Sequence, residues 1–158
     1  MNLQTTRIRH PEPPHVGAAP ATFAVQLSST RRGARLARLL ATQWLDEHAV
    51  PYRSASSRTA ALIVAELAAN AVRHCGSIGR DFRVSLTLAE AAPARVLRVE
   101  VTDARADKPL PPGAPWPPDD ECESGRGLLL VDALSHRWGH RVNDSITKTL
   151  WAELDLPE

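Results

Sequence analysis

Cysteine is scarce in this chain of 158 residues: Cys75 and Cys122 are the only two. They cannot build a disulfide framework and read as reduced thiols, so the fold must rest on an apolar core. Metal-type ligand spacing is also missing, because His74 precedes Cys75 but no paired ligands complete a zinc-like set. No apolar run approaches the roughly 18 to 20 residues that a bilayer crossing needs, so no membrane span is expected. Arg7, Arg9 and His10 near the start are not followed by the apolar stretch of a secretory signal, and the expected location is cytoplasmic. An excess of one charge is absent as well: Lys and Arg total 19, Asp and Glu 18, and the formal net charge is +1. That balance argues against a dedicated nucleic-acid binder, which concentrates basic charge. Arg31, Arg32, Arg35 and Arg38 do cluster, at a spacing that suits a solvated helix face.

What is present is the composition of a soluble globular protein, with 43% hydrophobic and 23% charged residues. The length suits one domain with its own core. Residues 1–20 contain Pro11, Pro13, Pro14 and Pro20 without a hydrophobic period and are expected to form a flexible leader; residues 21–158 are expected to form the domain. Phe23, Val25 and Leu27 alternate as in a strand. Ser28, Ser29 and Thr30 offer N-caps for a first helix, on which Leu36, Leu40 and Trp44 recur. A second helix is predicted from about Ser57 to His74, ended by Gly76. Two strands follow, the first carrying Phe82, Val84, Leu86 and Leu88, the second running from Val96 to Val101. Residues 104–124 hold six prolines and cannot be a regular element; a loop of that length is usually functional or mobile. A short helix from Gly127 to about Leu134 and two strands, Arg137 to Val142 and Thr147 to Leu156, complete the chain. Asn143, Asp144 and Ser145 mark the turn between the last two. Neighbouring strands in this order pair as hairpins, which implies an α/β two-layer sandwich, its sheet mostly antiparallel and its helices on one face.

Polar residues interrupt the apolar face of the second helix. At about 100° per residue, Ile63, Leu67, Asn70 and His74 share one wedge, with Glu66 on its border. A buried amide or imidazole without a partner costs roughly 1 to 3 kcal/mol, so these groups either bond nearby backbone or line a cavity. Glu66 and Asn70, one turn apart, present an acid and a neutral oxygen ligand that suit a hydrated Mg²⁺ ion. Asp103, at a strand end, either initiates a turn or accepts a hydrogen bond from an exocyclic amine such as that of adenine. Gly125 and Arg126 precede the short helix and Gly127 opens it; two glycines there make either a tight turn or a backbone that approaches phosphate at a helix N-terminus.

In fixed order the chain carries Glu66-Leu-Ala-Ala-Asn70-Ala-Val-Arg-His74, Val101-Thr-Asp103, Glu123-Ser-Gly-Arg-Gly127-Leu-Leu-Leu-Val131 and Lys148-Thr149-Leu-Trp151. Together these resemble the histidine-kinase-like ATPase superfamily, and the short form is similar to bacterial anti-sigma factor serine/threonine kinases. The resemblance covers nearly everything from about residue 21 onward. It implies the Bergerat-type sandwich and ATP with Mg²⁺ as cofactors. It further implies that Asn70 ligates Mg²⁺, that Glu66 is the general base, and that Asp103 recognises adenine with help from Thr149. Gly125, Arg126 and Gly127 form the phosphate-facing end of a lid supplied by residues 104–124. One departure stands out, since Arg105 occupies a position where the family commonly has a small residue.

Two functions follow from the resemblance. The first is a kinase that phosphorylates a small antagonist protein and holds a sigma factor until the unphosphorylated antagonist displaces it. The second is a binding module that uses ATP as a conformational ligand and sequesters a partner without phosphorylating it. A two-component histidine kinase fits less well, because His10 and His15 lie in the proline-rich leader and not on a dimerisation helix. Relatives of the anti-sigma type suggest a homodimer.

Overall fold

The structure is a computed structural model that describes residues 19–107 and 123–157. The expected leader falls almost wholly on residues 1–18, and most of the expected loop on residues 108–122; both spans lie outside the described residues. The elements run β1 (Ala21–Leu27), α1 (Arg31–Glu47), α2 (Ala55–Cys75), β2 (Phe82–Ala91), β3 (Ala94–Asp103), α3 (Glu123–Leu134), β4 (Arg137–Val142) and β5 (Lys148–Leu156). The five strands form one sheet in the order β1-β2-β3-β5-β4, and each neighbouring pair is antiparallel. The helices pack on one face of it, giving the two-layer α/β sandwich that the element order implies.

Alternation in the strands selects the buried face. Phe82, Val84, Leu86 and Leu88 on β2, Leu97, Val99 and Val101 on β3, and Leu150, Ala152, Leu154 and Leu156 on β5 point into one core with Ile63, Val64 and Leu67 of α2. Thr30 caps α1, its hydroxyl accepting the Gly33 N–H at 3.0 Å, and Ser54 does the same for Ser57 at the start of α2. The buried stripe of α1 is Gly33, Ala37, Ala41, Trp44 and Leu45. Leu36 is 39% exposed and Leu40 only half-buried, so of the predicted Leu36–Leu40–Trp44 ridge only Trp44 reaches the core. Small residues let α1 lie close to α2, where a leucine ridge would hold the two apart.

Helix α2 ends at Cys75, with Gly76 at its C-cap as the sequence predicts. Gly76 is still right-handed and opens a 3-10 turn, Gly76–Ile78; the left-handed stop is Gly79, at φ 64°. Helix α3 begins at Glu123, four residues before the predicted start, so Gly125 and Gly127 lie inside it. The turn at Asn143–Ser145 forms as expected, with Asp144 Oδ1 accepting the N–H groups of Ile146 and Thr147 at 2.7 Å each.

Candidate functional site

The inward face of α2 carries the polar wedge to the edge of the core. Asn70 is 3% exposed, and its Oδ1 has no hydrogen-bond partner. The acceptor is thus not bonded to nearby backbone. Leaving such an atom dry costs on the order of 1 to 3 kcal/mol, a cost a ligand can offset. Glu66, one turn earlier, is half-buried beneath α3. Gly127 makes that approach possible: a Cβ built on it would overlap the Glu66 carboxylate. The glycine thus serves contact with Glu66, and its place in the second turn of α3 separates it from the free N–H groups at the helix start. Gly125 falls in the first turn, and Arg126 is exposed just after it.

A second polar group gathers where β3 and β5 end beneath the C-terminus of α2. Asp103 pairs with Lys148 in the β3–β5 register, and the side chains lie on the helix-facing side of the sheet. Asp103 is 2% exposed and Lys148 0%. Asp103 Oδ1 accepts the Arg105 N–H at 3.0 Å. Its Oδ2 has no hydrogen bond; the Lys148 ammonium is 3.7 Å away, an ion-pair distance beyond hydrogen-bond reach. Lys148 Nζ lies 2.9 Å from His74 Nδ1, so an ammonium donating there fixes the ring as acceptor on that nitrogen. Burial pushes the Asp103 carboxyl up from its ordinary value, and the Lys148 ammonium beside it pulls it back. Burial likewise lowers the lysine, while Asp103 raises it. Each charge is held by the other.

Arg105 closes over this end. Its guanidinium donates to the His74 carbonyl at 3.0 Å and makes a fork to both carboxylate oxygens of Asp107, at 2.8 Å each. The residue that breaks the family pattern is therefore a clasp between α2 and the segment leaving β3. A cavity of about 430 Å³ opens beside it, lined by Gly79, Arg80, Asp81, Ala104 and Thr147 among others. Another, of about 570 Å³, lies between α1 and α2, with Arg31, Arg35 and Arg73 over Ala34, Ala69 and Val72.

Thr149 is placed apart from Asp103. Strand alternation turns it to the open face of the sheet, where its hydroxyl meets Thr102 Oγ1 at 2.7 Å and accepts from Asn143 Nδ2 at 2.9 Å. Its neighbour Lys148 takes the place beside the aspartate. The sequence held a sign of this: Lys148, Leu150, Ala152, Leu154 and Leu156 share one parity, which puts a lysine on an apolar strand face. Among the described residues no cluster of His, Cys, Asp and Glu could hold a metal on its own.

Residues 27–151 match the histidine kinase-like ATPase domain. The chain belongs to that family. The matched span covers most of the chain and contains Glu66, Asn70, Asp103 and Lys148. No curated protein matches the chain. Membership makes this an ATP-binding domain, and its two buried acceptors without hydrogen bonds fit that ligand chemically. A carbonyl oxygen such as Asn70 Oδ1 is a ligand for a hard cation, and a carboxylate oxygen such as Asp103 Oδ2 accepts from an amine. No described helix of the ATPase domain is long and apolar enough to cross a membrane.

Proposed function

We propose that this ATPase domain is a regulatory serine/threonine kinase of the anti-sigma type, which binds ATP with Mg²⁺ and phosphorylates a small antagonist protein. The observation that carries the reading is the pair of buried oxygens without hydrogen bonds, Asn70 Oδ1 and Asp103 Oδ2, with the half-buried Glu66 one turn from Asn70. Asn70 would hold Mg²⁺ at the phosphates, and Asp103 the 6-amino group of adenine. The ion supplies charge neutralisation on the triphosphate. Glu66 accepts the proton of the attacking hydroxyl as its oxygen bonds to the γ-phosphorus and the bond to the β-phosphate oxygen breaks, releasing ADP. A sigma factor is the partner held between cycles, and a homodimer is the assembly that the anti-sigma resemblance suggests.

Incubation with ATP labelled on the γ-phosphate and a panel of small antagonist proteins tests this. Label on an antagonist serine or threonine, lost in Glu66→Ala, is the expected result. Absence of transfer by the wild-type protein removes the kinase reading.

One observation favours the second reading, an ATP-responsive module that sequesters its partner without transfer. Asp103 is 2% exposed, and Arg105, whose N–H bonds its Oδ1, is tied to the His74 carbonyl and to Asp107, so access of a base to Oδ2 would call for a rearrangement at this end. Binding of this kind spends nucleotide affinity on a conformational change. It predicts that Arg105→Ala tightens ATP binding several-fold by calorimetry, and that ATP stabilises the protein without turnover.

A further inference from the structure

A lysine sealed from solvent is expensive. Removing an ammonium from water costs several kcal/mol, and such a group persists where a countercharge and hydrogen bonds hold it. Lys148 has a countercharge in Asp103 at 3.7 Å and an acceptor in His74 Nδ1 at 2.9 Å. Nothing in the phosphate chemistry uses it. It sits on β5, directly across the register from the carboxylate to which the reading above gives the base.

We propose that Lys148 is a positioning residue for base selectivity: it keeps Asp103 ionised, so that Oδ2 accepts from a 6-amino purine and refuses a 6-oxo purine. This rests on the reading of Asp103 as the base-recognising group. The logic is one of donors and acceptors. An ionised carboxylate has only lone pairs to offer. Adenine presents an N–H at its 6-position and satisfies Oδ2; hypoxanthine presents an oxygen there and leaves two acceptors facing one another. Asp103 Oδ1 is already committed to the Arg105 N–H, so Oδ2 is the atom left for the base. A protonated Asp103 carries an O–H and can donate to the 6-oxo group, and selectivity then fails. Burial drives the carboxyl toward that protonated state, and the lysine opposes it. Among the described residues, the other charged or titratable groups at this end are His74 and Cys75 at the end of α2, and Arg105 and Asp107 after β3. Arg105 works in the same direction as Lys148 on Asp103 but is bound mainly to Asp107.

ATP and ITP differ only at the base, so the ratio of their dissociation constants isolates this contact, and titration of the shared triphosphate cancels. Calorimetry on the full chain with Mg²⁺, from about pH 8 to about pH 6, tests the proposal. The wild-type protein is expected to prefer ATP by roughly 5- to 150-fold, the range an unsatisfied buried partner imposes, with little change over that span. In Lys148→Gln, which keeps a donor but loses the charge, the preference should shrink and should fall further as the pH is lowered. Lys148→Arg should retain it, and Lys148→Met should behave as the glutamine variant; where the methionine variant does not fold, the glutamine and wild-type titrations decide. A Lys148→Gln protein with the wild-type ratio at every pH overturns the role of Lys148 and leaves ATP binding intact. Wild-type protein that binds neither nucleotide overturns the reading of the site as well.

Discussion

Lys148 on β5 and Asp103 on β3 face each other across one register position, their charged atoms 3.7 Å apart and both sealed from water. Such a pair contributes little net stability but is costly to break, because the survivor is a buried charge without a partner. Lys148→Met is expected to lose about 3 to 5 kcal/mol of unfolding free energy at neutral pH. The double variant Lys148→Met with Asp103→Leu should recover most of it, as read by urea denaturation. An additive double variant would show that the two charges are not coupled.

Asn70 poses the opposite case. Its Oδ1 is buried and unbonded, so Asn70→Ala removes a desolvated acceptor that the fold does not use. Unfolding free energy should not fall by more than about 1 kcal/mol, while ATP affinity in the presence of Mg²⁺ drops by about tenfold or more. Calorimetry with and without Mg²⁺ checks the second part; equal affinities for variant and wild type would remove Asn70 from the site.

At the contact between α2 and α3 the expected change is local. Gly127→Ala places a methyl group against the Glu66 carboxylate, the far end of a side chain that can rotate aside. Alanine gains about 1 kcal/mol of helix propensity over glycine, which offsets much of the crowding. The melting temperature should therefore move little, and phosphotransfer should fall by about tenfold or more as Glu66 is displaced. In a Glu66→Ala background the same methyl should have no further effect on transfer.

Acid stability has a separate source on the open face of the sheet. Glu153 bonds Arg137 and lies 2.7 Å from Arg98, and these guanidiniums hold its carboxyl below the ordinary glutamate range, Arg137 most of all. The unfolded chain thus takes up the proton first as the pH falls. The contribution is complete above the ordinary glutamate value of 4.5 and is lost as the pH drops through the lower folded value. Glu153→Gln should flatten the fall in stability below about pH 4.5, measured by thermal denaturation across that range. An unchanged slope would assign the acid sensitivity to other groups.

Much of this arrangement was legible in the chain as written. The period of two in Phe82–Leu88 and Val96–Val101 and the turn residues Asn143 and Asp144 are local signals, and the elements they predict are present. The inward wedge of Asn70 and His74 was visible because helical geometry makes faces from sequence spacing alone. The start of α3 differs from the prediction because Gly125 and Gly127 look like turn residues, whereas both lie inside the helix, Gly127 packed against Glu66. In α1 the leucine spacing predicts a buried ridge, but the buried stripe is made largely of Gly33, Ala37 and Ala41, small residues that carry little hydrophobic signal.

The sequence by itself determined the element order, the polar residues on α2 and the family, since each depends on spacing or on residues in fixed succession. Tertiary structure alone decided that Lys148 and not Thr149 stands beside Asp103, that Arg105 reaches back to the His74 carbonyl, and that Gly127 rests on Glu66. Those relationships arise from strand register and helix approach between segments tens of residues apart, and a one-residue change of register reverses which side chain meets the site.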